Sequence, residues 1–329
     1  MPRARREKTA ALRAFDVVIR SMQPCATVHQ NRHHARFFTS HARGIDDDAR
    51  VKRRLLRVLI VVLGLGLLLG AWGFFIEPSR LERVEVTLTP RTWPGSRSGL
   101  KVAVVSDLHI GAPFIDAQAI TRVRETIDAW KPDLVLIAGD LLVGHEPGAT
   151  FVPPDEAAAM LKGWSAPLGV WAVLGNHDWW VDGEGTTRAL EANGVRVLEN
   201  QAVALEARGG RVWLAGLADV WTRKTDAAKA LAQVTDDAPV IAFTHNPDVF
   251  PEMPARFDVF FAGHTHGGQV KLPLVGTPVV PSKYKQRYAR GVVVEEGRTM
   301  FVTSGVGTSV MPVRFRVPPE VALVTLTAL

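Results

Sequence analysis

Two histidines separated by one residue, His264 and His266, stand between an apolar run ending at Ala262 and a pair of glycines, Gly267 and Gly268. An apolar run that stops at His-x-His reads as a buried strand ending in a turn. Neutral imidazole is the commonest protein ligand for metal ions, and neighbouring glycines let backbone and ions approach closely. Four other stretches have the same form: Ser106-Asp107-Leu108-His109, Gly139-Asp140, Gly175-Asn176-His177-Asp178 and Thr244-His245-Asn246-Pro247 each close an apolar run. In open α/β sheets, ligands bind in the crevice beyond the carboxyl ends of the strands. Asp107, His109, Asp140, Asn176, His245, His264 and His266 are therefore expected around one crevice. Carboxylate, imidazole and amide oxygen together suit Mn, Fe or Zn rather than an all-oxygen calcium site or a thiolate site. Two ions about 3.5–4 Å apart, bridged by a carboxylate, would use such a set.

Taken singly, each residue has a plainer reading. An Asp after a strand is more often a cap or turn residue, and a His more often a satisfied core group. The set behaves differently. Of the six histidines beyond residue 57, five fall at strand ends, all but His145. Burying that many polar groups with no ion to satisfy them would cost several kcal/mol.

The elements that must position these groups are read from periodicity. Strands are expected at residues 100–106, 134–139, 170–175, 240–244 and 257–262, and helices at 116–130, 155–162, 184–193 and 226–234. Gly163 is placed to end the second helix. Two hairpins are expected, 203–205 with 211–214 across Gly209-Gly210, and 292–295 with 299–303 across Glu296-Gly297; residues 321–326 form a last strand. With no repeat and no internal linker, residues 81–329 read as one α/β domain, two sheets packed face to face with helices outside.

The order D-x-H, G-D, G-N-H-D, H, G-H-x-H resembles the calcineurin-like metallophosphoesterase family over roughly residues 98–328, with all five motifs in family order. The resemblance implies a four-layer α/β/β/α sandwich of two mixed sheets and a dinuclear site. Asp107, His109, Asp140 and His266 would hold one divalent ion and Asp140, Asn176, His245 and His264 the other, with Asp140 bridging. A hydroxide shared by the metals would be the nucleophile in an in-line hydrolysis of a phosphate ester. His177 would protonate the leaving oxygen, oriented by Asp178. The single anchor described below, with Gly305-Val306-Gly307-Thr308, Met311-Pro312-Val313-Arg314 and Pro319-Glu320, is similar to the membrane-anchored bacterial subgroup, likened to UDP-2,3-diacylglucosamine hydrolase of lipid A synthesis. The expected substrate is a lipid-linked or envelope phosphodiester or pyrophosphate. The alternatives are a UDP-2,3-diacylglucosamine hydrolase-type enzyme, a phosphomonoesterase or protein phosphatase on the same site, and a non-catalytic metal- or lipid-binding module. Trp179, Trp180 and Arg314 are further candidates for substrate contact, Trp179 and Trp180 as an apolar wall and Arg314 for phosphate. Each has a structural alternative, as do Lys283, Lys285, Arg287, Arg290 and Arg316, which read first as a solvated face.

Charge and hydropathy place the domain. Residues 1–57 carry 14 Lys and Arg against 5 Asp and Glu, whereas the remainder carries 25 against 28. A nucleic-acid reading of the folded part thus has no support from its net charge. The only cysteine, Cys25, lies in the basic tail, so no disulfide framework exists within the chain. Residues 1–54 read as a largely disordered tail, with a helix near residues 9–19 and a polar role for His29, His33, His34 and His41. Residues 58–76 carry no charge and are long enough to cross a bilayer, giving a transmembrane helix or signal anchor over 55–76. Lys52, Arg53, Arg54 and Arg57 precede this run, so the positive-inside rule puts the N-terminus in the cytoplasm and the catalytic domain outside a bacterial inner membrane. Arg53-Arg54 also resembles an incomplete twin-arginine export signal. No A-x-A cleavage site follows the run, so an uncleaved anchor is expected.

Overall fold

The computed structural model describes residues 41–329, with side chains from residue 50 onward. The expected helix near residues 9–19, the tail histidines His29, His33 and His34, and Cys25 lie outside the described residues. The chain divides into two units between Val62 and Leu63. Helix α1, His41–Ala71, begins well before the apolar run and inside the stretch expected to lack order. From residue 50 it continues into a segment long and apolar enough to cross a membrane, with its leucines and valines largely exposed. Gly64, Gly66 and Gly70 face open space. The last turns widen into a π-helical turn, Trp72–Ile76, and Pro78 in the following 3-10 turn prevents further α-helix.

The strands of the second unit are β1 (Glu82–Leu88), β2 (Leu100–Val105), β3 (Leu134–Ala138), β4 (Val170–Val173), β5 (Arg196–Val197), β6 (Gln201–Ala207), β7 (Gly210–Gly216), β8 (Val240–Phe243), β9 (Val259–Ala262), β10 (Gly291–Glu295), β11 (Arg298–Val302) and β12 (Glu320–Leu326). Its helices are α2 (Ala117–Trp130), α3 (Pro154–Ala159), α4 (Asn176–Ala192) and α5 (Ala227–Leu231). One sheet runs β1-β12-β2-β3-β4-β5 and the other β10-β11-β9-β8-β7-β6. Both are mixed: β2, β3 and β4 are mutually parallel, as are β7, β8 and β9, while β12 lies antiparallel to β2 and the β6–β7 and β10–β11 hairpins are antiparallel.

The strand sequences explain the layering. In β2, Val102 and Val104 face one side and Ala103 and Val105 the other, and all four are fully buried. Both faces being covered, the strand reads as a continuous apolar run rather than an alternation. The inner faces of the two sheets meet through Val102, Val104, Leu134 and Leu136 against Leu214, Ile241, Phe243 and Phe261. Ala103, Val105 and Ile137 pack outward on Ile120, Val123 and Ile127 of α2, while Val240, Ala242 and Phe260 pack on Ala227 and Ala230 of α5. This is the expected α/β/β/α sandwich.

Two strands and one helix start depart from expectation. The edge strand β1 alternates charged and apolar residues with only Leu88 fully buried, and β5 has two residues, so neither shows an apolar run. Helix α4 begins at Asn176, not near 184, because the Gly-Asn-His-Asp motif is itself the first helical turn. The helix breaks at Asp182 (φ −166°, ψ 85°), whose carboxylate accepts from Gly185 N at 2.8 Å and caps the second half.

Arg314 is not available to bind phosphate, contrary to expectation. Its side chain is fully buried and donates to the carbonyls of Ser304, Gly305, Gly307, Val317 and Pro318. Burial draws the guanidinium down to about 10 against the attraction of Asp107 and Glu320, which leaves it charged at neutral pH. The same segment grips the end of the long helix: Arg314 N donates to Gly73 O at 2.9 Å, and Val317 N to the buried Glu77 carboxylate at 2.8 Å. Arg314→Met should cost about 3 kcal/mol by stranding buried carbonyls, seen as a fall of roughly 6–12 °C in the midpoint of thermal unfolding. Arg314→Lys should recover little of it, since an ammonium has three donors and no planar fork.

Candidate metal centre

All seven groups picked out at the strand ends meet beyond the carboxyl edges of β2, β3, β4, β8 and β9, and all are buried. Asp107 and His109 follow β2, Asp140 follows β3, Asn176 opens α4 after β4, His245 follows β8, and His264 and His266 follow β9. Five of the seven sit in left-handed backbone: Asp107 (φ 52°), His109 (φ 43°), Asp140 (φ 54°), His264 (φ 68°) and His266 (φ 50°). That region is uncommon for non-glycine residues and concentrates at functional sites. Here it turns each chain sharply off its strand. Glycines make the space: a Cβ on Gly175 would lie 2.2 Å from Asp140 Oδ1, and one on Gly263 would lie 2.6 Å from Asp107 Oδ2.

Asp107, His109 and His266 form one cluster of candidate ligand atoms, and Asp140, His245 and His264 another, the atoms of each within 4.8 Å of one another. His266 Nε2 lies 3.3 Å from Asp107 Oδ1 and 3.2 Å from His109 Nε2. Asp140 Oδ2 lies 3.2 Å from His245 Nε2 and 3.6 Å from His109 Nε2, between the clusters. Asn176 Oδ1 lies 3.2 Å and His264 Nδ1 3.1 Å from His245 Nε2. The second ring nitrogens fix the tautomers. His109 Nδ1 faces Leu142 O at 3.1 Å and His245 Nδ1 faces Ala138 O at 2.8 Å; a carbonyl only accepts, so these nitrogens carry hydrogen. The Nε2 lone pairs of His109 and His245 then point at carboxylate oxygens, an amide oxygen and other imidazole nitrogens. Acceptors converging on acceptors in a buried site require positive charge between them.

Burial drives His109 and His264 down to about 3 and His266 well below its ordinary value, leaving neutral rings with lone pairs available. Burial pushes the Asp107 carboxyl up to about 6, against the pull of His245. Asp140, although equally buried, is held well below the usual carboxylate range by His245 and His109, and His245, buried against Asp140 and Asp107, is raised. The donor set fits two divalent cations: imidazole, carboxylate and one amide oxygen, with Asp140 between the clusters and no thiolate.

The expected partner of His177 is replaced. Asp178 does not touch the His177 ring; its carboxylate accepts from Leu142 N at 3.0 Å and Gly175 N at 2.9 Å, bracing the two loops that carry Asp140 and Asn176. Burial and the Asp140 charge push it up to about 7 against those amide bonds. Glu146 faces His177 instead, Oε1 standing 3.6 Å from Nε2, with Ser309 Oγ at 3.4 Å. Ser309 Oγ and Val310 N both donate to Glu146, fixing its carboxylate. His177 Nδ1 bonds Val143 O at 3.1 Å, so Nε2 points to the cleft.

The tryptophan pair separates. Trp180 is exposed and lies against the His177 ring, centroids 4.9 Å apart, whereas Trp179 turns into the core beneath Arg223. A second aromatic, Trp221, stands edge-on to His264 at 4.3 Å. Asp219 sets that turn, accepting from the amides of Trp221 and Thr222. Trp221 and Asp219 follow β7, the neighbour of β8, and the same rule of polar residues closing a strand points to them once β7 is extended to its full length. Glu146 carries no such signal, lying six residues past Asp140 in an irregular loop.

Residues 100–268 match the family model of the calcineurin-like phosphoesterases. The chain is 28% identical over 285 residues to an uncharacterized metallophosphoesterase of Bacillus subtilis, YkuE, covering 84% of this chain and 97% of that one. It is 30% identical over 258 residues to the phosphodiesterase YaeI of Escherichia coli, covering 77% and 90%. It is 25% identical over 321 residues to the UDP-2,3-diacylglucosamine pyrophosphatase LpxG of Chlamydia trachomatis, covering 80% and 95%. With His177 Nε2 turned toward Glu146 and Ser309, His177→Asn should retain its metal by elemental analysis while turnover falls about 10²–10⁴-fold. Glu146→Gln should lose about tenfold, with metal content unchanged.

Proposed function

The chain belongs to the calcineurin-like phosphoesterase family, and we propose that it is a membrane-anchored phosphodiesterase using two divalent cations, Mn, Fe or Zn, on a lipid-linked or envelope phosphodiester or pyrophosphate. The observation that carries this is the burial of carboxylate, imidazole and amide groups around Asp140, with His245 Nε2 3.2 Å from Asp140 Oδ2 and Asn176 Oδ1 and 3.1 Å from His264 Nδ1. Asp107, His109, Asp140 and His266 would hold one cation, and Asp140, Asn176, His245 and His264 the other. Bound there, the cations would polarise the phosphoryl oxygens and lower the pKa of the attacking water.

The chain's own residues supply the rest. His177 Nε2 is placed to give a proton to the leaving oxygen, and the Glu146 carboxylate stabilises the protonated ring. Asp140 Oδ1 accepts from His177 N at 2.9 Å, which locks the proton donor to the bridging carboxylate. Trp180 and Trp221, half exposed beside His177 and His264, offer apolar walls to whatever the phosphate carries. Asp178 acts as a brace for the ligand loops.

The membrane reading rests on the uncharged run, the basic residues before it and the exposed apolar helix. We place residues 1–54 in the cytoplasm, the anchor at 55–76 in a bacterial inner membrane and the catalytic domain, 81–329, outside. A lipid-linked substrate agrees with the name of the Chlamydia relative. A nucleotide-sugar substrate requires the opposite topology, since such sugars are made in the cytoplasm.

The test uses the full chain in detergent, loaded with Mn, on bis-(p-nitrophenyl) phosphate. Nitrophenol release should be abolished by EDTA and reduced at least about 10³-fold by Asp140→Ala. A wild-type chain that binds no metal would overturn the proposal.

A further inference from the structure

The loop after the metal-centre turn is built against the usual rule for exposed turns. Leu272 and Gly276 pair across it, Leu272 N to Gly276 O at 2.8 Å and Gly276 N to Leu272 O at 3.0 Å, leaving Pro273, Leu274 and Val275 at the tip. Tips of this kind are ordinarily filled by Gly, Pro, Asn, Asp or Ser, which Pro273 obeys and Leu274 and Val275 do not. Here Leu274 takes the left-handed position itself, φ 66°, with its side chain wholly in solvent. Val275 and Leu272 are exposed beside it, and so are Val310 and Met311.

These apolar groups are tied to the end of the long helix. Lys271 N donates to Phe315 O and Val270 bridges to Phe315, which fixes the loop to the strand-like segment 313–317. That segment packs on Gly73 through Val313 and the Arg314 carbonyl. Met311 is four residues from Phe315, at most about 14 Å along the chain. Phe75 and Ile76, at the helix end, are themselves exposed. Lys271 and Arg316, both exposed, flank the patch and make no ion pair among the described residues. An apolar tip rimmed by cations beside a membrane-length helix has the chemistry of an interfacial anchor, apolar side chains in the acyl boundary and cations at anionic headgroups.

We infer that the 272–275 tip, with Val310 and Met311, inserts into the outer leaflet of the bilayer that the helix crosses. This rests on the anchored-enzyme reading above. Its consequence is positional. Val310 N is bonded to Glu146 and Ser309 reaches His177, so an inserted Val310 sets the proton donor at headgroup depth, where a lipid phosphoester lies.

The test uses the full chain carrying Cys25→Ser and Leu274→Cys, labelled with an environment-sensitive fluorophore and reconstituted in phosphatidylcholine/phosphatidylglycerol vesicles. The comparison is Arg208→Cys, in the β6–β7 turn at the opposite end of the strands from the metal centre. Unchanged thermal unfolding shows that each labelled chain is folded. Lipids brominated near the glycerol should quench the probe at position 274 about twofold and leave that at 208 unchanged. If the chain floats with the vesicles but position 274 is quenched no more than 208, the insertion is overturned and the anchor stands. If the chain does not float at all, the anchored reading falls and the inference with it. A probe shielded in proportion to protein concentration, without quenching by bromolipid, would mean that the tip meets a second copy, which also overturns the inference.

Discussion

The structure depends on one electrostatic demand: two carboxylates, an amide oxygen and four imidazoles are buried with lone pairs facing one another. His109 and His245, whose Nδ1 hydrogens are spent on backbone carbonyls, offer only acceptors at Nε2 to the neighbouring oxygens and nitrogens. Positive charge must enter, as cations or as a proton between Asp140 and His245. Every unusual feature nearby follows from holding acceptors together in that way. Left-handed turns swing these groups in, glycines clear room for them, and backbone carbonyls take up His109 Nδ1 and His245 Nδ1, while His264 Nε2 and His266 Nδ1 have no hydrogen-bond partner among the described residues.

Asp140 is the point where these constraints cross. One oxygen lies between His245 and His109, while the other accepts the amide of His177. His177, the proposed proton donor, is therefore positioned by the same carboxylate that stands between the two clusters. Gly175 is required for the same reason, since any Cβ there would occupy the place of Asp140 Oδ1. Asp178, one residue beyond His177, closes the loop by bonding Gly175 N and Leu142 N. A residue expected to orient the donor directly acts on the backbone that carries it.

Much of this was legible in the chain because parallel strands buried on both faces are continuous apolar runs, and their ends are marked by the first polar residue. The runs ending at Ser106, Gly139, Gly175, Thr244 and Ala262 located β2, β3, β4, β8 and β9 to within two residues and put the seven groups on one edge. Where an element has no such mark the reading failed for a physical reason. The edge strand β1 exposes one face and pairs with β12, distant in sequence. Helix α4 hid its first half in a motif read only as chemistry, whereas its second half was legible at 184–193. Glu146, Trp221 and Ser309 reach the site from loops, where spacing says nothing about where a side chain points. Arg314 looked like a phosphate ligand because charge alone does not show that five carbonyls already claim a guanidinium.

That claim explains why an arginine stands there. Segment 304–318 has almost no regular structure, yet it touches both the metal centre and the helix end. Val306 N bonds Ser106 O and Gly307 N bonds Asp107 O at 2.6 Å, while Arg314 N and Val317 N reach Gly73 and Glu77. Of the five carbonyls Arg314 meets, those of Ser304, Gly307, Val317 and Pro318 accept from no backbone amide among the described residues. A planar cation with five donors can gather them around a single point, whereas a lysine or an apolar residue leaves most of them bare. The buried carboxylates of Glu77, Asp107 and Glu320 pull that cation inward against the cost of burial. The segment whose backbone meets both Asp107, a proposed metal ligand, and the end of the membrane-length helix is thus gathered around one side chain. The catalytic edge of the sandwich is fixed in place relative to the end of the helix by hydrogen bonds rather than by a flexible linker.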